Sequence, residues 1–151
     1  MIFYILKLFD ELNLFLTKIG CIFKSPKLCS FSWKLSIIRH NLKVHKKKKN
    51  ILVLYKSIGI LDLDLLKKKN SKKISVFILP RAQIKVIFHS FFKNLDHSIN
   101  DNNYITKNAI IEKRKILYLF FLIKILNDLN KSYKFRSIVS FNYRYYAERE
   151  L

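Results

Sequence analysis

The sequence predicts an α/β protein: a small open parallel sheet of about three strands with flanking helices, preceded by an N-terminal amphipathic helix. Two observations carry this. Three short runs of strand formers are free of Gly and Pro, "ILVLY" from Ile51, "ISVFIL" from Ile74 and "RSIVSF" from Arg136, and the first two are near-continuously apolar, as strands covered on both faces are. Segments with helical periodicity lie between them, and alternation of strand and helix builds parallel β-α-β units.

Each element has its own justification. From Ile2 to Ile19 the apolar residues Ile2, Ile5, Leu6, Phe9, Leu12, Leu16 and Ile19 recur at helical spacing, so a helix ending near Gly20 is expected. Its stripe is expected to pack on its own domain; contact with a membrane plane is the alternative. Between Cys21 and Lys49 the pattern loosens around Pro26 and several serines and ends in "KVHKKKKN", which reads as a basic linker. This divides the chain into 1–49, helix and linker, and 50–151, an α/β half-domain expected to be incomplete at its C-terminus.

After the first strand, Ile60 to Lys69 has helical potential, and after the second, "RAQIKVIFHSFFKNL" resumes it, with Ile84, Ile87, Phe88, Phe91 and Leu95 on one stripe. "DHSINDNNYI" is a polar loop, and Thr106 is placed to cap a helix from Lys107 to about Lys131. The centre of that helix, "ILYLFFLIKIL", is too short to span a bilayer and fits burial between a sheet and another layer. The third strand, Arg136 to Phe141, then leads into "NYRYYAEREL", the start of a further helix.

The charge is +20, from 30 Lys+Arg against 10 Asp+Glu, and favours polyanions: anionic lipid, phosphorylated ligands or nucleic acid. Only six of the 30 cations are arginine, the residue suited to bidentate readout of bases and phosphates, so nucleic acid ranks behind the others. Two cysteines, Cys21 and Cys29, make neither a disulfide framework nor a zinc motif and read as incidental thiols in a reducing compartment. The first 20 residues lack the basic start of a signal peptide, and the expected location is the cytoplasm, with the inner face of the membrane as a place of contact.

Ligands of open parallel sheets bind outside the carboxyl ends of the strands, where loops and helix N-termini converge. Three such junctions, "YKSIG", "LPRAQ" and "SFNYRYY", offer Lys56, Ser57, Gly59, Arg81, Asn142 and Arg144 as ligand-binding candidates for a phosphate or polyhydroxylated ligand. The plainer reading of each is a cap, a turn or a solvated cation. With two glycines in the chain, neither GxGxxG nor a P-loop exists. Asp62 and Asp64 form a D-x-D triplet among leucines, and His40, His45, His89 and His97 have no ligand spacing, so no metal site is expected. No catalytic arrangement is legible.

Across "ILVLYKSIGILDLDLLKKK", "ISVFILPRAQIKVIF" and above all "IVSFNYRYYAEREL", the sequence resembles the N-terminal part of bacterial GT-B-like glycosyltransferases of surface-polysaccharide biosynthesis. The resemblance covers Lys49 to Leu151. It implies a Rossmann-like half that binds a sugar or lipid-linked acceptor, opposite a second half that binds a nucleotide-sugar donor. The donor half has no counterpart in these 151 residues, so the expectation is an acceptor-side fragment, inactive alone, needing no cofactor itself and completed by a C-terminal half on another chain. The alternatives are a small basic RNA-binding or ribosome-associated protein and a peripheral membrane protein.

Overall fold

A computed structural model describes residues 2–40, 49–55, 74–92 and 109–140. Among the described residues the order is α1 (Ile2–Ile22), α2 (Pro26–His40), β1 (Lys49–Tyr55), β2 (Ile74–Pro80), α3 (Arg81–Phe92), α4 (Ala109–Tyr133) and β3 (Phe135–Ser140). The three strands form one sheet in the order β2-β1-β3. Both pairings are parallel, with Leu52 opposite Phe77 on one side and Ile138 on the other.

That register puts Leu52, Phe77 and Ile138 on one face, where Leu52, Phe77 and Leu79 join Trp33, Ile84, Ile87, Tyr118, Leu122 and Ile125 in one core. Val53 and Ile78, on the opposite face, are buried as well. Strands covered on both faces have no polar alternation to display, and this explains their continuous apolar sequence. Phe77 anchors the sheet to the end of α4: its ring lies 5.3 Å from Tyr133 and 5.4 Å from Phe135. Lys134, with φ of 50°, makes the whole connection from α4 to β3, and its N–H closes the helix on Asn130 O at 2.9 Å.

The sequence reading passes over α2. Its segment is helical because the turn before it is fully specified. The Ser25 N–H reaches Gly20 O at 2.7 Å and the Lys24 N–H reaches Cys21 O at 3.1 Å, with Lys24 in the left-handed region at φ 47°, which closes α1 in a Schellman turn. Ser25 then caps α2, its Oγ accepting the Leu28 N–H at 3.3 Å, and Pro26 takes the first helical position, where its missing N–H costs nothing. The helix shows no apolar stripe because its buried residues alternate in kind: Cys29, Trp33 and Ile37 with Ser30, Ser32 and Ser36. Far from being a linker, the segment Pro26–His40 touches α1, α4 and β2.

Two further expectations change. On α1 the residues that face inward are Asn13, Thr17 and Gly20, whereas Ile5, Leu6 and Leu12 of the expected stripe are exposed. On α4 burial takes one side only: Tyr118, Phe121, Leu122 and Ile125 are covered, whereas Ile116, Leu117, Phe120 and Ile123 are exposed. The segment Ile60 to Lys69, the cap at Thr106 and the helix start after residue 141 lie outside the described residues.

Candidate functional site

Because all three strands run the same way, their carboxyl ends share one edge of the sheet, marked by Tyr55 opposite Pro80 and Leu54 opposite Ser140. The order β2-β1-β3 gives that edge a particular feature. From the central strand the chain goes to one neighbour, β2, and returns across the sheet through α3 and α4 to the other, β3. The connections that leave β1 and β3 lie outside the described residues, but in open α/β sheets it is outside these carboxyl ends that ligands bind.

Arg81 is the candidate that the structure describes. It follows Pro80 directly, opens α3 and is only 2% exposed, so it is not the solvated cation of the plainer reading. Its guanidinium stands next to the N-terminus of α3, the positive end of the helix dipole. Lys56, Ser57, Gly59, Asn142 and Arg144 lie outside the described residues. In sequence, Lys56 and Ser57 are the next residues after Tyr55, and Asn142 and Arg144 come two and four positions after Ser140. Asp62, Asp64, His45 and His97 are likewise outside the described residues. His89 is exposed on α3, and among the described residues no three His, Cys, Asp or Glu side chains cluster as metal ligands.

Below Arg81, one turn into α3, Gln83 starts a buried polar chain that joins three helices. Its Nε2 donates to Ser36 Oγ at 2.9 Å, so its Oε1 is left to accept from Thr17 Oγ1 at 2.5 Å. Ser32 Oγ donates to Asn13 O at 2.5 Å and lies 2.9 Å from Thr17 Oγ1. Such a chain fixes the register of the α1–α2 hairpin on α3, and with it the helix that carries Arg81. The signal that could have found it is the helical spacing of small polar residues: Asn13 and Thr17 on α1, Ser32 and Ser36 on α2.

Two further clusters were not foreseen. Ser30 Oγ donates to Asp128 Oδ2 at 2.6 Å and Lys34 Nζ reaches the same oxygen at 2.9 Å, which ties α2 to α4; these two donors, Ser30 first, hold the Asp128 carboxyl below its usual range. Cys21 and Cys29 meet across the hairpin: the Cys29 thiol donates to Thr17 O at 3.6 Å, and its interaction with Cys21 lowers the Cys21 pKa to about 7, while that interaction and burial push Cys29 up. They are an interacting pair, not two incidental thiols.

A groove of about 260 Å³ lies beside the first half of β3, between Leu126, Asn127 and Asn130 of α4 and Phe135 to Ile138. None of the candidates picked from the sequence lines it, and it sits away from the carboxyl edge. No protein-family model, curated protein or solved structure matches the chain, which leaves residue chemistry and geometry to carry the functional reading.

Proposed function

We propose that this chain is the acceptor-side half of a glycosyltransferase-like protein of cell-surface polysaccharide biosynthesis, with a Rossmann-like sheet whose carboxyl edge holds a sugar or lipid-linked acceptor. The observation that supports this reading is the parallel order β2-β1-β3, since ligands of open parallel sheets bind outside the carboxyl ends of the strands. The chain continues from those two strands into Lys56-Ser57 and Asn142-Tyr143-Arg144, residue types that hydrogen-bond hydroxyls and neutralise phosphate. Arg81, at the neighbouring strand end, adds a buried positive charge. The donor nucleotide-sugar belongs to the other half of such a protein, so this half selects and orients an acceptor hydroxyl without transferring to it.

The test is an amide-resolved NMR titration of the full chain with four probes: a hexose 1-phosphate, a short-chain polyprenyl phosphate, a nucleotide-sugar and a single-stranded RNA. The expected result is that the sugar phosphate or polyprenyl phosphate shifts Tyr55 to Ser57, Arg81 and Asn142 to Arg144, and that Lys56→Ala and Asn142→Ala weaken binding by about tenfold each, the loss of one charge-assisted contact. Perturbation by RNA alone, falling steeply with salt, would replace this reading with the nucleic-acid one. Shifts confined to the groove beside β3 would move the site off the carboxyl edge and sink the proposal.

A further inference from the structure

The outer side of α1 carries an apolar seam that no other described element covers. Ile5, Leu8, Leu12, Phe15 and Ile22 are each more than half exposed, with Ile19 half-buried among them. Their spacing of three and four residues keeps them on one side of the helix. The inner side is built from Asn13, Thr17 and Gly20, so α1 is turned with its polar and small residues inward. This orientation is held by the Thr17 bond to Gln83, the Ser32 bond to Asn13, and the Asp10 carboxylate gripped by Arg39 at 3.1 and 3.2 Å. A contiguous apolar face of this kind marks a surface for a partner.

We infer that α1 docks this protein on an anionic lipid bilayer, lying in the plane of the interface with its outer seam among the acyl chains. Charge decides between a bilayer and a second copy, the other occupant a seam of heptad spacing fits. A second copy would bring up another chain of net charge +20, whereas anionic head groups answer that charge. Exposed lysines stand along the same hairpin: Lys18 on α1, Lys24 in the turn and Lys27 at the start of α2. Their long stems let the ammonium groups reach head groups while the seam enters the hydrocarbon boundary. The acidic groups of α1 are already answered, Asp10 by Arg39 and Glu11 by Lys7 at 3.9 Å. No helix of the described residues is long and apolar enough to cross a membrane, so the helix lies along the surface. This inference stands independently of the acceptor reading, since it rests on the outer side of α1 and not on the strand ends.

Vesicle flotation of the full chain tests it, using phosphatidylcholine vesicles with and without phosphatidylglycerol. The expected result is binding to the anionic vesicles at least about tenfold stronger than to the neutral ones, lost in the triple variant Leu8→Ser, Leu12→Ser, Phe15→Ser and kept in Ile116→Ser, Phe120→Ser on α4. Because these side chains are exposed, both variants keep the far-ultraviolet spectrum of the parent. A Phe15→Trp variant supplies a second readout. The native Trp33 is fully buried and stays constant, whereas Trp emission from position 15 shifts to the blue on anionic vesicles and is quenched by brominated lipid. Undiminished binding by the triple variant, loss of binding in the α4 variant, or a concentration-dependent dimer that excludes vesicles would overturn the inference.

Discussion

The sheet and the helical hairpin bury their residues by opposite means. Around Phe77 the core is aromatic and aliphatic, with Phe88 and Phe92 stacked at 4.4 Å and Tyr118 set edge-on to Phe88 at 5.6 Å. Between α1 and α2 the interface is Asn13, Thr17 and Gly20 against Cys29, Ser32 and Ser36. The first arrangement gains from apolar area removed from water and tolerates modest repacking. The second depends on close approach and on the hydrogen bonds of Thr17, Ser32, Ser36 and Gln83, while the buried Asn13 side-chain amide has no partner among the described residues. A helix joined to its domain by a polar side has its apolar side left over, and on α1 that remainder is the surface seam.

The largest effect that would sharpen this contrast belongs to the sheet. Phe77→Ala removes the ring that Tyr133 and Phe135 pack against at the junction of α4 and β3. The expected cost is about 3–5 kcal/mol, read as a fall in the urea midpoint with an unchanged slope. A loss below about 1 kcal/mol would mean that the sheet is not the stability centre of the chain.

The hairpin should respond next, and through geometry instead of area. A Cβ added at Gly20 would lie 2.6 Å from Cys29 Sγ and 3.1 Å from the Cys29 backbone nitrogen. The backbone atom cannot turn aside, so the two helices must separate. Gly20→Ala gains up to about 1 kcal/mol of helix propensity and loses about 1–3 kcal/mol to overpacking, a net destabilisation of about 1–2 kcal/mol. A more stable Gly20→Ala protein would show that the close crossing is not required. Thr17→Val, nearly the same shape, should cost about 1 kcal/mol by leaving Gln83 Oε1 without its donor. Melting curves of the two variants separate the steric from the hydrogen-bonding part of the interface.

The same contrast explains what could be read from the sequence. Strands such as Ile74–Leu79 announce themselves because a strand buried on both faces has nothing polar to show, and the parallel arrangement followed from the helical periodicity read between them. The α2 helix stayed hidden because periodicity methods look for apolar stripes, and a helix whose inner face is Ser30, Ser32 and Ser36 beside Trp33 has none. Its caps, Ser25 and Pro26, were legible as helix-start signals all the same. On α1 the periodicity was real but its direction was not, since apolar residues on opposite flanks, such as Leu12 and Leu16, satisfy the same spacing rule. For the candidate site, Arg81 was legible as the residue after a strand end, but its burial depends on tertiary packing that no spacing encodes.

The smallest effect concerns the thiol pair at the tightest point of the hairpin. Cys21 falls from 9.0 to about 7 chiefly because the Cys29 thiol, which donates to Thr17 O at 3.6 Å, can turn its proton to a Cys21 thiolate, with a lesser contribution from Ser90 that burial opposes. In the unfolded chain both thiols titrate near 9. Cys21 binds its proton less tightly folded than unfolded, so its contribution to stability appears as pH rises through about 7 and is complete above about 9. Cys29, pushed up by the same hydrogen bond and by burial, keeps its proton where the unfolded chain releases one, so it lowers stability above pH 9. Under reducing conditions the urea midpoint should therefore rise between about pH 7 and 9 and turn down beyond it, on top of the trend set by the other groups. Cys29→Ala removes the donor, and two things should follow: the rise between pH 7 and 9 flattens, and the pH at which Cys21 becomes half-reactive towards iodoacetamide moves upward. An unchanged alkylation profile in Cys29→Ala would show that Cys21 is tuned by something other than its neighbour across the turn. The hairpin contact would then hold by shape and not by the thiol hydrogen bond.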